Sequence, residues 1–412
     1  MKIAIIGSGI SGLTSAHLLH RDHQITLFEA ADRIGGHTHT VDVRLRGRDY
    51  VIDTGFNLFN DRFYPNFMRL LQQLNVPFKP SGMSFSVSDP LSGLEYNSNN
   101  LNSLFAQRSN LFSLSFWQLA RDILRFNKES LDDHDNQRIA AHVTLDEYVR
   151  MGGYSQRLVD HYILPLGAAL WSMPVGDVLD IPLLFFVRFF SNHGLISVNH
   201  PQSYVIEGGS SAYVEPLVQE FSQRIRLSCP VFEVNRDHLG VTVVSAYGIE
   251  RFDKIIFACH SDQALELLSA PTLAEQQILG AMRYAESEVV LHTDHRLLPR
   301  RSLAQASWNC RLGDAADQPS TVTYNMNKLQ GIDAPEAICI SLNQTSAIDP
   351  ALVIGRYRYS HLQYSLDGVA AQQRVHELLG VNHSYYCGAY WGGGFHEDGV
   401  VSAMRVADAL RL

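Results

Sequence analysis

Ile3-Ala4-Ile5-Ile6-Gly7-Ser8-Gly9-Ile10-Ser11-Gly12 opens the chain with an apolar run that breaks into a glycine-rich loop, and Leu13-Thr14-Ser15-Ala16-His17-Leu18-Leu19 follows it. The apolar run reads as a short buried parallel strand and the segment after the loop as a helix. Strand, G-x-G-x-x-G and helix in that order form a dinucleotide-binding turn. Gly7 permits the tight turn, Gly9 lets the backbone approach a pyrophosphate, and Gly12 lets helix and strand pack closely. Ile10 and Ser11 sit at the helix N-terminus, whose free N–H groups favour an anion. A second strand, Gln24-Ile25-Thr26-Leu27-Phe28, ends in Glu29, about twenty residues beyond the loop, where an acid bonds ribose hydroxyls. The chain is therefore predicted to bind an adenine dinucleotide.

Behind the acid runs Ala30-Ala31-Asp32-Arg33-Ile34-Gly35-Gly36-His37. The second glycine pair gives another close backbone approach, and Arg33 and His37 are candidate phosphate partners. Further along, Ile52-Asp53-Thr54-Gly55-Phe56 ends a strand, and Ser228-Cys229-Pro230-Val231 begins one. Near the C-terminus, Tyr385-Tyr386-Cys387-Gly388-Ala389-Tyr390-Trp391 leads into Gly392-Gly393-Gly394-Phe395-His396-Glu397-Asp398-Gly399 and an amphipathic stretch.

This set resembles the flavin-containing amine oxidase superfamily. Within it, Arg33 to Thr40, Asp53 to Phe56, Phe189 to Gly194, Gly208 to Tyr213 and Gly394 to Gly399 are similar to one subgroup. That subgroup comprises bacterial FAD oxidoreductases akin to the N-terminal flavin domain of plant cyclopropane fatty acid synthases. The resemblance implies non-covalent FAD held by Gly7, Gly9, Ile10, Ser11, Gly12, Glu29, Ala30, Arg33, Gly35, Gly36 and His37. It adds Thr54, Gly55, Val231, Gly388, Gly394, Gly399 and Val400, with Gly399 opening the last helix toward the flavin. The chain departs from the superfamily at His37, where many relatives carry Arg, and at Ala389, where many carry an acid.

The resemblance also implies an α/β fold, a discontinuous Rossmann-like FAD-binding domain with an inserted α+β substrate domain. The expected borders are 1–80, 205–265 and 380–412 for the first, 81–204 and 266–379 for the second. The pattern along the chain predicts a hairpin over Val41 to Asp53, a helix from Phe63 to Leu74 and short strands between Ser81 and Tyr96. Mostly helix follows from Leu101 to Asn192, then strands at Val231–Asn235, Gly240–Ser245, Phe252–Ala258, Glu288–His292, Val322–Met326 and Ile338–Leu342. A last helix is expected over Gly399–Leu412.

Composition fits a globular protein: 412 residues, 46% hydrophobic and 18% charged, enough for two cores. A net charge of -9 argues against nucleic acid or an anionic membrane as the main partner. Five scattered cysteines have no metal-ligand or disulfide spacing, so no metal is expected. With no signal peptide and no apolar span, a cytoplasmic enzyme is the expectation.

The implied chemistry is hydride transfer from a small-molecule donor to flavin N5, with the electron acceptor left open. Tyr390, Phe395, His396 and Glu397 are the candidate catalytic residues, and His292, Asp294, Trp308 and Asn309 candidate pocket residues. Phe395 matches one ring of the amine-aligning pair of superfamily amine oxidases. Neither its partner ring nor a lysine near N5 is evident, and Val289 to Asp294 has none. An apolar donor, such as a lipid acyl chain, is therefore expected ahead of an amine or polyamine. A flavin-free lipid carrier on the same fold is the non-enzymatic alternative. The run Ile181-Pro182-Leu183-Leu184-Phe185-Phe186-Val187-Arg188-Phe189-Phe190 reads as a core helix, or as a tunnel wall or peripheral membrane contact.

Overall fold

The computed structural model describes residues 1–140, 142–171, 178–192, 196, 201–313 and 320–411. Its first sheet is built from the opening motif. Strand β1 (Lys2–Ile6) is fully apolar on its inner positions and leads through the loop into helix α1 (Ile10–Leu19) and strand β2 (Gln24–Phe28). Five parallel strands lie in the order Ile225–Arg226, β2, β1, Lys254–Phe257 and Ser384–Tyr386. Parallel strands need both faces covered. One face packs α1 and the C-terminal helix His396–Arg411. The other packs a three-stranded antiparallel sheet, Val231–Asp237, Gly240–Ser245 and Gly248–Phe252.

A second sheet of seven strands runs Val353–Gln363, Arg283–His292, Cys339–Leu342, Thr321–Asn325, Trp308–Arg311, Phe85–Asp89 and Leu94–Asn97. Only the Trp308–Arg311 and Phe85–Asp89 pairing is parallel. Helices including Leu114–Asp135, Leu145–Met151 and Leu183–Asn192 cover it and share its core. The chain thus has a Rossmann-like dinucleotide fold, built from segments far apart in sequence, joined to an α+β part of mixed sheet and helices.

Three sequence expectations change. The strand expected over Phe252–Ala258 is two, because at Asp253 the chain leaves the antiparallel sheet and enters the parallel one. The Asp253 N–H donates to Lys2 O, and its carboxylate accepts from Lys2 N at 2.6 Å. The eleven-residue strand Val353–Gln363 was not anticipated. The last helix begins at His396, one turn before Gly399, and is described to Arg411, with Leu412 outside the described residues. The run 181–190 faces inward: Ile181, Leu183, Phe186, Val187, Phe189 and Phe190 are buried and Arg188 is its exposed member. His193 and Gly194 lie outside the described residues.

Candidate active site

The glycine loop is shaped from both sides. Gly7 adopts φ +102°, a backbone conformation open to glycine, and a Cβ at Gly12 would collide with the Gly7 carbonyl. Gly9 is the N-cap of α1, has no side-chain cap, and a Cβ there would meet nothing within 4 Å. The first-turn N–H groups of α1 are therefore uncapped beside open space, an arrangement that suits an anion. Glu29 holds the loop: its carboxylate accepts from Ser8 N at 2.8 Å, Ser8 Oγ at 2.5 Å and Ala31 N at 2.9 Å.

That space is one end of a cavity of ≈ 680 Å³ running between the two sheets. Gly7, Ser8, Gly9, Ile10, Ser11, Glu29, Ala30 and Val231 line this end. Gly35, Gly36, His37, Thr54, Gly55 and Phe56 follow, then Gly388, Ala389, Tyr390, Gly393, Gly394, Phe395 and His396. Beyond them the wall is apolar and aromatic, with Tyr64, Phe189, Val289, Trp308, Tyr324 and Ile340 among its residues. Neither lysine nor carboxylate lines this far end among the described residues. The acidic lining residues, Glu29 and Glu266, come from the elements of the dinucleotide fold.

The remaining predicted residues stand elsewhere. Gly12 packs helix to loop. Gly399 does the same between helices, since a Cβ there would meet Ile10 Cγ2 at 2.7 Å and Ser11 Oγ at 2.9 Å. Val400 is buried in the core beneath them. Arg33 spends its guanidinium on the loop itself, donating to Gly36 O at 2.7 Å and Thr38 O at 3.1 Å. Glu397 accepts from Asn66 Nδ2, Asn66 N and Phe67 N at 2.7, 3.2 and 2.9 Å, which caps helix α2 (Pro65–Gln73). His292 and Asn309 are hydrogen-bonded within the seven-stranded sheet, Asp294 beside it accepts from Arg296 Nε at 2.8 Å and Asp349 N at 3.0 Å, and Trp308 lines the cavity.

Among the catalytic candidates, His396 is stacked on Phe56 with ring centres 3.4 Å apart. Its Nε2 lies 3.0 Å from Thr38 Oγ1 and 3.3 Å from Tyr213 OH. Burial, then His37, holds its pKa well below the ordinary value, so the ring is neutral. Tyr390 is buried and its ring fills the space a Gly388 side chain would need. Phe395 meets Phe189 at 4.9 Å and Tyr64 at 6.3 Å, and Tyr364 stacks on Phe185 at 3.8 Å. The structure thus gathers several aromatic rings around Phe395, all from segments distant in sequence.

A histidine group on the cavity wall was missed. His37 lies 5.8 Å from His361, 6.1 Å from His260 and 5.2 Å from Tyr359, ring centre to ring centre, and His260 stacks on Tyr284 at 4.3 Å. Burial, then His361, His260 and Arg33, brings the His37 pKa down to about 3, and burial, then His260, brings His361 to about 4. Tyr357, Tyr359 and His361 alternate along one strand. That period-two signal was present in the sequence.

A family of known proteins matches this arrangement. Residues 10–329 match the flavin containing amine oxidoreductases, and the chain belongs to that family. An L-amino acid oxidase of Bothrops pictus is 22% identical over 278 residues, 59% of this chain and 48% of that protein, so the match spans about half the relative's length. Among solved structures, a putative protoporphyrinogen oxidase from Exiguobacterium sp. 255-15 superposes with TM-score 0.72 at 19% identity, covering 100% of this chain and 99% of its own. A CLA-producing fatty acid isomerase from P. acnes does so with TM-score 0.70 at 14% identity, covering 98% of each chain. At these identities the structures show a shared fold.

The residues present fit FAD. Uncapped N–H groups of α1, open space at Gly9 and a carboxylate at Glu29 suit a pyrophosphate and a ribose. The cavity continues past Thr54 and Gly388 toward the aromatic end.

Proposed function

We propose that the enzyme oxidises a largely apolar donor, such as an unsaturated or otherwise modified acyl chain. FAD, when bound, supplies the hydride-accepting chemistry. The cofactor-binding residues proposed are those lining the cavity from Gly7 to Ser11, at Glu29, Ala30, Gly35, Gly36, His37, Thr54, Gly55, Val231, Gly388 and Gly394. The domain borders given above are proposed with them. The observation that carries the donor class is the far end of the cavity, where aromatic and aliphatic side chains form the described wall and no carboxylate stands to pair with an ammonium group. This chain's residues bind and orient the donor by packing and exclude water from it. The His396 ring, held neutral by burial and fixed at Nε2 by Thr38 Oγ1 and Tyr213 OH, lines the cavity beside Phe395.

Amine oxidation is the second reading, favoured by family membership and by the rings around Phe395, which could align a neutral amine. Anaerobic bleaching of the bound flavin separates the two, using a panel of acyl lipids, polyamines, aromatic amines, amino acids and NADPH. Bleaching by an acyl lipid is the expected outcome. Rapid bleaching by a polyamine or aromatic amine, with lipids inert, overturns the apolar reading. Acid precipitation should release the flavin into the supernatant, because Cys387 is buried against Ser15 away from the cavity and burial pushes the cavity-lining Cys259 thiol up to about 12. Flavin retained in the pellet would show a covalent bond.

A further inference from the structure

Among the described residues the two most exposed large apolar side chains, Phe112 and Leu114, stand two residues apart. Leu111 and Phe112 end the segment Arg108–Phe112, and the 22-residue helix Leu114–Asp135 starts two residues later. Phe112 is 91% exposed, Leu114 88%, Leu124 71% and Trp117 49%. The inward face of this helix is already satisfied by Phe116, Leu119, Asp122, Phe126 and Ser130. Leu114, Trp117, Arg121, Leu124 and Lys128 recur every three or four residues, which places them on the opposite, outward face. The tip is held in shape: Trp117 Nε1 donates to Leu111 O at 2.9 Å, and the Trp117 ring packs on Phe105 at 5.1 Å.

Charge on this surface runs against the rest of the protein. The chain carries -9 overall, yet residues 96 to 121 contain Arg108 and Arg121 and no acid. Asp122 follows on the inward face and Glu129 further along, and Asp132, Asp133 and Asp135 gather at the other end of the helix. Arg125 is engaged by Glu129 at 3.0 Å and Arg121 reaches the buried Asp122 carboxylate at 3.6 Å while its own side chain stays 75% exposed, so Arg108, Arg121 and Lys128 present the cations of this surface. Exposed Leu, Phe and Trp flanked by cations, on a helix with a separate buried face, match the chemistry of a bilayer surface, where rings and aliphatic groups enter the headgroup layer and cations meet lipid phosphates. Among the described residues no helix is long and apolar enough to cross a membrane.

We propose that the tip at 111–117 and the outward face of this helix seat the protein on an anionic lipid bilayer, with Phe112 and Leu114 entering the headgroup layer and the acidic end of the helix held away from it. The inference does not depend on the identity of the electron donor.

The test uses flavin-loaded protein and sedimentation with vesicles of pure phosphatidylglycerol or pure phosphatidylcholine. The expected result is strong binding to phosphatidylglycerol, weaker binding to phosphatidylcholine, and loss with added salt. Tryptophan emission should shift to the blue on binding, and Trp117→Phe should remove most of that shift. Phe112→Glu with Leu114→Glu should weaken vesicle binding by at least about tenfold, since each exposed side chain forfeits its apolar burial. Both sites are exposed, so flavin content and melting temperature should hold. Arg121→Glu with Arg108→Glu should weaken binding to phosphatidylglycerol and leave binding to phosphatidylcholine unchanged. Absence of vesicle binding, or binding indifferent to the Phe112 and Leu114 substitutions, overturns the proposal. So does concentration-dependent self-association abolished by the same substitutions without vesicle binding, which would make the face an interface between copies of the chain.

Discussion

At the residue scale the glycines of the opening loop separate two jobs that the motif alone runs together. Gly9 borders open space, so Gly9→Val should leave the melting temperature near that of the apoprotein while abolishing flavin retention. Gly12 borders the Gly7 carbonyl, so Gly12→Val should destabilise the fold by about 1–3 kcal/mol or more through overpacking. Equal loss of stability in both variants would refute this division. Glu29→Ala should weaken FAD binding by about 1.5–3 kcal/mol, as for hydrogen bonds to a charged group. Part of that loss comes from the Ser8 and Ala31 N–H groups it leaves unpaired. Titration of apoprotein with FAD measures it, and an unchanged affinity would remove Glu29 from the site. Ser8 as the partner of Glu29 was not legible, because the motif fixes spacing but not which hydroxyl turns toward the acid.

At the scale of elements, Glu397 shows what sequence proximity can hide. It lies among residues that line the cavity, yet its carboxylate caps α2 through Asn66 and Phe67. Glu397→Ala should therefore cost about 1–2 kcal/mol in thermal or denaturant unfolding, the usual loss of a cap, with flavin spectrum and bleaching rate retained. A bleaching rate that collapses at unchanged stability would return Glu397 to the chemistry. The strands with strong apolar runs were legible in the sequence, and so was the hairpin of β3 (Thr40–Leu45) and β4 (Arg48–Asp53). The strand Val353–Gln363 was not. Its alternation is of tyrosine and histidine with arginine and serine, so apolar periodicity is weak where one face borders a cavity rather than a core.

For the whole molecule, the placing of the cavity depended on long-range pairing. The opening motif gave the dinucleotide end directly. The aromatic end needed Tyr64, Phe189, Trp308, Tyr324 and Phe395 brought together by the seven-stranded sheet and its helices, and nothing local encodes that meeting. The same assembly buries titratable groups of opposite pH behaviour. Asp53 lies at the end of β4, where its carboxylate accepts from Thr40 Oγ1 at 2.5 Å, Ser210 N at 2.7 Å and Gln330 Nε2 at 3.1 Å. Burial nevertheless raises its pKa from 3.8 to about 6, and burial likewise raises Asp398 to about 6. An acid with a raised folded pKa binds its proton more tightly in the native state. Its contribution to stability is therefore gained as pH falls from about 6 to about 4 and lost as pH rises through that window. His37, His361 and His396 are held neutral, with folded pKa values below 6.5, so they act in reverse and stability falls as pH drops below about 6.5. In the wild type the two sets oppose each other between about pH 4 and 6. Asp53→Asn removes one carboxyl and leaves the imidazoles, so its stability should fall more steeply with acid than that of the wild type. The difference across that window should be of order 3 kcal/mol at most, the equivalent of about two pKa units. Urea unfolding at a series of pH values measures both slopes. Parallel curves for the two proteins would show that Asp53 ionises in the folded protein as it does in the unfolded chain.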